Sequence, residues 1–163
     1  MEGASPLVGI LVGSERDLPV VAAAGQVLKK LGVSYEILVR SAHRTPDETL
    51  AYARAARQRG LKVLIAGAGL SAHLAGVLAA NTTLPVIGVP MAVGSLNGQD
   101  ALLSTVQMPP GIPVATVAID GAANAGYLAA QIIAVSDEAL AGRIEEDRAA
   151  RRAHILAVPP VMG

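Results

Sequence analysis

The stretch VLIAGAGLSAH, residues 63–73, decides the fold, because four apolar residues run directly into a glycine-rich turn. The run Val63–Ala66 is short and bounded by turn residues, as expected of a strand buried on both faces. Four similar runs occur along the chain, separated by alanine-rich stretches with helical spacing. Strands that alternate with helices predict a parallel sheet. The other predicted strands are Leu7–Val12, Tyr35–Val39, Val86–Val89 and Val114–Ile119.

Helices are predicted between these strands from apolar spacing and from residues that start or stop helices. The first begins at Asp17 and Pro19 and stops at Gly32, and the second runs from Pro46 to Arg59. The third opens near Ser71, the fourth follows Asn97, and the fifth covers Ala122–Val135. We therefore predict an α/β fold, a three-layer αβα sandwich with a doubly wound, five-stranded parallel sheet of the flavodoxin or Rossmann kind. A single domain is expected over residues 1–163, with its core at about 7–135.

The chain after residue 135 predicts one more helix, at about 137–157, with Ser136 as its N-cap. This C-terminal helix carries many charged residues and a thin apolar stripe of Leu140, Ile144 and Ile155. Two interpretations stay open, a solvated helix and a helical arm that packs on a neighbouring subunit.

The composition is apolar for a chain of 163 residues, with 52% hydrophobic and 16% charged residues. Charged residues make up about 25% of an average soluble protein, and the mean hydropathy here is +0.49. Large exposed apolar patches usually mark interfaces, so we expect a homo-oligomer.

A net charge of +0 and an aromatic share of 2% argue against nucleic-acid and anionic membrane partners. The chain has no cysteine, which excludes disulfides, thiolate catalysis and cysteine-ligated metals. The segment Met1–Pro6 does not resemble a signal peptide, and no apolar run reaches the ~18 residues of a membrane span. We therefore expect a cytoplasmic protein.

Polar residues follow the first three predicted strands, and ligands bind at the carboxyl ends of parallel strands. Ser14, Ser41 and Arg44 are donors suited to a phosphate monoester, and Asp17 could accept hydrogen bonds from ribose hydroxyls. Structural roles stay open for each of them. Asp17 could be an N-cap, Arg44 could pair with Asp47, and the serines could cap their own turns.

His43 is the candidate for proton transfer, because imidazole can act as acid and then as base near neutral pH. It follows the second strand and stands beside Arg44. His73 is predicted on the third helix, where direct chemistry competes with a packing or capping role. His154 lies among charged residues of the C-terminal helix, where we expect it to be solvated.

Several cofactor classes are disfavoured. The turn GAGLSA, residues 67–72, fits the glycine pattern of dinucleotide sites, but residues 81–99 lack the acidic partner for the ribose. The Gly-Lys-Ser/Thr segment of a Walker loop does not occur. Lys29, Lys30 and Lys62 are predicted in or near helical surfaces, which argues against a Schiff base, and three scattered histidines give no metal signature. We expect neither a cofactor nor a metal.

Four groups of motifs follow one another along the chain: SAHRTP (41–46), AGAG (66–69) with AHL (72–74), PVIGVP (85–90), and QMP (107–109) with GIPV (111–114). Together they resemble the N5-carboxyaminoimidazole ribonucleotide mutase family, the catalytic subunit of phosphoribosylaminoimidazole carboxylase. The resemblance covers Val8 to about Ile133. With arginine at position 44 the sequence resembles the mutase branch of the family, class I. The animal-type branch, which carboxylates the nucleotide directly, tends to carry lysine at this position.

The resemblance implies a set of roles for the loop residues. Ser14, Asp17 and Arg44 would bind the nucleotide, Ser41 its phosphate, and the backbone of Ala68 and Gly69 the migrating carboxylate. Arg16, Ser71 and His73 are further candidates for substrate contact. The resemblance also implies a homo-octamer with active sites at subunit contacts, and a transient contact with the ATP-dependent synthetase that makes the substrate is a further expectation. No biotin, metal or ATP would be required.

The implied reaction is an isomerisation in purine (IMP) synthesis that gives 4-carboxy-5-aminoimidazole ribonucleotide. His43 would protonate the exocyclic nitrogen as carbon dioxide departs, and then remove the ring proton after the ring carbon attacks the trapped gas. A direct carboxylase of the same fold and a non-catalytic nucleotide-binding domain stay open as alternatives. The sequence departs from the family at Arg16, usually serine, at Leu70-Ser71, usually Gly-Ala, and at Ala75, often proline.

Overall fold

The computed structural model describes residues 5–162 and contains a five-stranded parallel sheet with strand order β2-β1-β3-β4-β5. The predicted domain 1–163 and the segment Met1–Pro6 therefore extend beyond the described residues. In the central register, Val8 of β1 pairs with Tyr35 of β2 on one side and with Val63 of β3 on the other. The strands are β1 (Val8–Val12), β2 (Tyr35–Val39), β3 (Val63–Ala68), β4 (Val86–Pro90) and β5 (Ala115–Thr116).

Helices cover both faces of the sheet, because successive strand residues point to opposite sides. Ile10 belongs to a core shared with α1, α5 and α6, whereas the adjacent Leu11 belongs to a core shared with α2 and α3. The predicted αβα sandwich is thereby confirmed. None of the helices within residues 5–162 has the length and apolarity needed to cross a membrane. The helices are α1 (Leu18–Lys30), α2 (Pro46–Ala56), α3 (Leu74–Ala79), α4 (Gln99–Val106), α5 (Ala122–Ala134) and α6 (Glu138–Leu156).

The two edge strands differ from the prediction that every strand is buried on both faces. All five residues of β2 are only half-buried, and β5 is a two-residue ladder instead of the predicted Val114–Ile119. Each edge strand has one neighbour in the sheet, so its outer side lacks the cover that β1, β3 and β4 receive.

Several predicted helix ends were also wrong. The third helix begins at Leu74 rather than near Ser71, and α2 ends at Ala56 rather than Arg59. At the start of α6, Asp137 and not Ser136 is the N-cap, since its carboxylate accepts a hydrogen bond of 2.9 Å from the backbone N–H of Leu140. A carboxylate at a helix N-terminus satisfies a free N–H group and complements the helix dipole.

The C-terminal helix α6 is anchored at one end and exposed at the other. Leu140 and Ile144 are buried, but Ile155, which we predicted in the same stripe, is 69% exposed. The carboxylate of Asp147 is also buried, although the sequence places it among the charged residues of this helix. It accepts hydrogen bonds from Lys30, from Tyr127 Oη at 2.8 Å and from Arg151 Nε at 2.8 Å.

Asp147 should make the stability of the protein depend on pH. Hydrogen bonds from Lys30, Arg151 and Tyr127 hold the pKa of this carboxyl well below its ordinary value. A carboxyl whose pKa is lowered by folding stabilises the native state above about pH 4, and this contribution is lost as the pH falls further. We expect Asp147→Asn to lower the free energy of unfolding by about 2 kcal/mol near neutral pH.

Urea denaturation of the Asp147→Asn variant and of wild type, near neutral pH and again in acid, measures this contribution. The difference between the two proteins should shrink as the pH falls. Glu146→Gln is the matched control, because Glu146 is the exposed neighbour on the same helix. A difference that is independent of pH, or one that Glu146→Gln reproduces, would contradict the assignment.

Helices α1 and α5 approach closely at Gly126. A Cβ atom at this position would lie 2.8 Å from the carbonyl oxygen of Ala24 and 3.1 Å from its Cα, and backbone atoms cannot move aside easily. We expect Gly126→Ala to destabilise the fold by about 2 kcal/mol through overpacking. Gly142→Ala in α6 is the control, since a Cβ there meets nothing within 4 Å and should stabilise the helix by about 0.5–1 kcal/mol. Chemical denaturation would measure both values; equal effects would contradict this packing argument.

Candidate active site

A cavity of about 360 Å³ opens at the carboxyl edge of the sheet, where the loops after β1, β2 and β3 meet. Strands β2 and β3 lie on opposite sides of β1, so this edge is a switch point of the topology, where ligands bind in open α/β sheets. Its volume lies in the range of small-molecule sites, about 300–1,000 Å³. Every candidate site residue named from the sequence lines this one cavity.

The loop after β2 is a tight turn built around Ser41. The backbone N–H of Thr45 donates to the carbonyl oxygen of Ser41 at 2.9 Å, and the N–H of Ser41 donates to Thr45 Oγ1 at 2.8 Å. Ser41 Oγ accepts hydrogen bonds from the backbone N–H of Arg44 at 3.2 Å and from Arg44 Nε at 3.4 Å. Within residues 5–162 this hydroxyl has no protein acceptor, so its own hydrogen can be donated to a ligand.

Arg44 joins the loops after β1 and β2. Its Nη2 donates to the carbonyl oxygen of Gly13. The predicted alternative, an ion pair with Asp47, does not occur among the described residues. The guanidinium is thus held at the cavity with its charge uncompensated by that carboxylate, which suits an anionic ligand.

The loop after β1 contributes a hydroxyl and a carboxyl group. Ser14 Oγ accepts a hydrogen bond of 3.3 Å from the backbone N–H of Arg16. Asp17 precedes α1 but makes no capping hydrogen bond with its side chain, and it is 8% exposed. Burial raises the pKa of Asp17 above its ordinary value, although the Ser14 backbone and the Arg44 charge act in the opposite direction. Because it does not cap α1, the carboxyl group of Asp17 remains able to accept hydrogen bonds from a ligand in the cavity.

His43 and His73 both line the cavity and are in direct contact with each other. His43 Nε2 lies 2.9 Å from His73 Nδ1, and the rings stand edge to face with an interplanar angle of 87°. Both side chains are exposed. His73 precedes α3 rather than lying on it, which corrects the predicted placement, and its side chain makes no cap bond.

The glycine-rich turn after β3 explains why α3 begins late. Leu70 has a φ of +55°, in the left-handed region, which interrupts any helix there. A Cβ at Gly69 would lie 2.0 Å from Val93 Cγ2, so a side chain would not fit beside this loop. Within residues 5–162, the backbone N–H groups of Gly69, Leu70 and Ser71 have no acceptor. Free N–H groups in such a turn are suited to an anion such as a carboxylate.

One lining residue that the sequence argument did not consider is Val93, which follows β4. Its signal in the sequence is its position shortly after a fourth apolar run, because ligands bind at the carboxyl ends of parallel strands. Among the described residues, no three His, Cys, Asp or Glu side chains are grouped so that they could hold a metal ion.

The sequence model of the family described as AIR carboxylase matches residues 7–154. The chain belongs to the AIR carboxylase family. A relative from Thermotoga maritima is 50% identical over 151 residues, 93% of this chain and 88% of the relative. One from Bacillus subtilis is 57% identical over 145 residues, 88% of this chain and 90% of the relative. Both carry the name N5-carboxyaminoimidazole ribonucleotide mutase.

A solved structure agrees with this membership of the AIR carboxylase family. The crystal structure of Treponema denticola PurE superposes with a TM-score of 0.84 at 30% identity, covering 93% of this chain and 94% of that chain. The five-stranded αβα fold is therefore common to both proteins.

The structure shows the surroundings of the three positions at which the sequence differs from what the resemblance leads us to expect. Leu70 adopts a positive φ that glycine takes without strain. Ala75 is the second residue of α3, in the first turn, where a proline costs no helix hydrogen bond. Arg16, at the position where the resemblance leads us to expect a serine, lines the cavity and brings a second guanidinium to it beside that of Arg44.

Proposed function

We propose that this chain is an N5-carboxyaminoimidazole ribonucleotide mutase, an isomerase of purine biosynthesis. The observation that carries the proposal is the exposed His43 in the same cavity as the anion donors Ser41 and Arg44. The relatives at 50% and 57% identity support it by name. Because substrate and product are isomers, the net reaction consumes no ATP and needs no oxidant.

The phosphate of the ribonucleotide is proposed to bind between the loops after β1 and β2. Ser14 and Ser41 offer hydroxyl hydrogens that have no protein acceptor within residues 5–162, and Arg44 and Arg16 supply positive charge. Asp17 would accept hydrogen bonds from the ribose hydroxyls. Charged hydrogen bonds to phosphate are short and strong, so these contacts would orient the base toward His43.

The carboxylate is proposed to move within the part of the cavity formed by Ala68, Gly69 and Ser71. His43 starts as the cation and gives its proton to the exocyclic nitrogen while the nitrogen–carbon bond breaks and carbon dioxide leaves. The ring carbon then attacks the carbon dioxide, and neutral His43 takes the proton that this carbon loses. The proton returns to His43, so the cycle closes without a net change in protonation.

Turnover assays separate this proposal from the direct carboxylase on the same fold. The enzyme should convert N5-carboxyaminoimidazole ribonucleotide without added bicarbonate, ATP or metal, and should not use the unmodified nucleotide with bicarbonate at a comparable rate. Product formed only in the assay with the unmodified nucleotide and bicarbonate would reassign the chain to the carboxylase branch. Absence of product in both assays would leave a nucleotide-binding domain.

A homo-octamer with active sites at subunit contacts is proposed on the same resemblance. Apolar side chains stand exposed near the cavity and along the end of α6, among them Leu70 at 53%, Ile155 at 69% and Leu156 at 70%. A neighbouring subunit that covered them would also close the cavity against loss of carbon dioxide. Light scattering should give eight times the mass of one chain; a monomer would refute this assembly.

The domain organisation, the localisation and the partners of the chain are also proposals. The chain would be a single domain with its core at about 7–135, since both hydrophobic clusters pack on the same sheet. It would work in the cytoplasm, free of nucleic acid and membrane, and would contact the ATP-dependent synthetase transiently to receive a labile substrate.

A further inference from the structure

One ring nitrogen of His43, Nε2, is hydrogen-bonded to the side chain of His73. The 2.9 Å contact between His43 Nε2 and His73 Nδ1 is a hydrogen bond, and neither ring makes another within residues 5–162. One nitrogen of the pair must donate and the other must accept. Which one donates determines where the proton of neutral His43 lies.

We propose that His73 is a positioning residue that fixes the tautomer of His43. Its Nδ1 accepts the proton of His43 Nε2, which leaves His43 Nδ1 as the nitrogen that gives and takes the proton of the reaction. This inference rests on the proposed function and adds a residue that acts through His43 rather than on the substrate.

The proton transfers of the proposed cycle favour this direction of the bond. Cationic His43 carries a proton on each nitrogen, and the one on Nδ1 passes to the substrate. Neutral His43 then keeps its remaining proton on Nε2, held by His73, while the lone pair on Nδ1 is ready for the ring proton. In the opposite tautomer Nδ1 would carry hydrogen and could not accept that proton.

The backbone around His73 is well suited to hold a fixed acceptor. The N–H of His73 donates to the carbonyl oxygen of Ser71 at 2.9 Å, and its own carbonyl oxygen accepts from Val77 N–H at 2.9 Å. The preceding N–H of Ala72 donates to Ser104 Oγ at 3.1 Å, which ties the turn to α4. The exposed ring leaves its second nitrogen free to donate to water.

Two nearly isosteric variants test the proposal. The amide oxygen of His73→Asn can accept a hydrogen bond close to the position of Nδ1, whereas His73→Leu cannot. We expect His73→Leu to lower kcat about tenfold, as for loss of a partner that orients an active group, with KM changed less than about threefold. The His73→Asn variant should keep kcat within about threefold of wild type. Equal losses in both variants, or none in His73→Leu, would overturn the proposal.

A second readout does not depend on turnover. ¹⁵N NMR of labelled protein should show neutral His43 protonated on Nε2 in wild type and in His73→Asn, and a mixture of tautomers in His73→Leu. Protonation on Nδ1 in wild type would overturn the proposal even in an active enzyme. If wild type converted no substrate, the proposed function would fail, while the NMR result would still decide the tautomer.

Discussion

Replacing His43 with asparagine is expected to remove nearly all turnover of N5-carboxyaminoimidazole ribonucleotide while the protein still binds the nucleotide. Asparagine preserves polarity and approximate size but cannot exchange a proton near neutral pH. General acid–base catalysis contributes about 10²- to 10⁴-fold, and in the proposed mechanism one group serves both steps. We therefore expect kcat to fall toward the upper end of that range.

The measurement pairs initial rates with calorimetric binding of the product nucleotide. Binding of the product should stay within about threefold of wild type, because the lost interaction acts on the reacting atoms in the transition state. His154→Asn is the matched control, since His154 is exposed on α6 outside the cavity. A kcat for His43→Asn within about tenfold of wild type, or an equal loss in His154→Asn, would remove His43 from the mechanism.

Replacing Arg44 with glutamine is expected to raise KM strongly and to change kcat little. Each charged hydrogen bond to phosphate contributes about 1.5–3 kcal/mol, and Arg44 is fixed at the cavity by Ser41 and Gly13. We expect kcat/KM to fall about 100-fold, mainly through KM, because the proposed contact of Arg44 with the phosphate would be the same in the ground and transition states. The fold should survive, since the side chain is exposed.

Arg54→Gln is the control for the Arg44 experiment. Arg54 is an exposed arginine of α2 that donates to Asn81 Oδ1 at 3.3 and 3.2 Å and does not line the cavity. Its replacement should leave both kinetic constants unchanged. A similar loss in both variants would show a general charge effect rather than phosphate recognition.

The carboxyl-edge site could be predicted because its residues directly follow apolar strand runs. In a parallel sheet the loops after neighbouring strands lie at the same edge. Once β1, β2 and β3 are recognised, Ser14, His43 and Gly69 are therefore predicted to lie close together. The contact between His43 and His73 could not be predicted. It depends on Leu70 adopting a positive φ, which delays α3 and places His73 in the turn before it.

Other features depend on partners far away in the chain. Asp147 was interpreted as part of a charged helix, but Lys30, 117 residues earlier, meets it in the folded protein. Strand β5 reads as a longer apolar run, yet its pairing with β4 is limited to Ala115 and Thr116 at the sheet edge. Local apolar patterns identify elements well, whereas burial of a charge and the extent of an edge strand are decided by tertiary contacts.

The most direct test of the account follows the carboxylate carbon. N5-carboxyaminoimidazole ribonucleotide labelled with ¹³C in its carboxylate is converted by the wild-type enzyme in buffer that contains unlabelled bicarbonate, and the product is analysed by mass spectrometry. Transfer within the cavity predicts that the product keeps the label at the ring carboxylate. Product that has lost the label to the level of the surrounding bicarbonate would contradict the mutase and indicate carboxylation from solution.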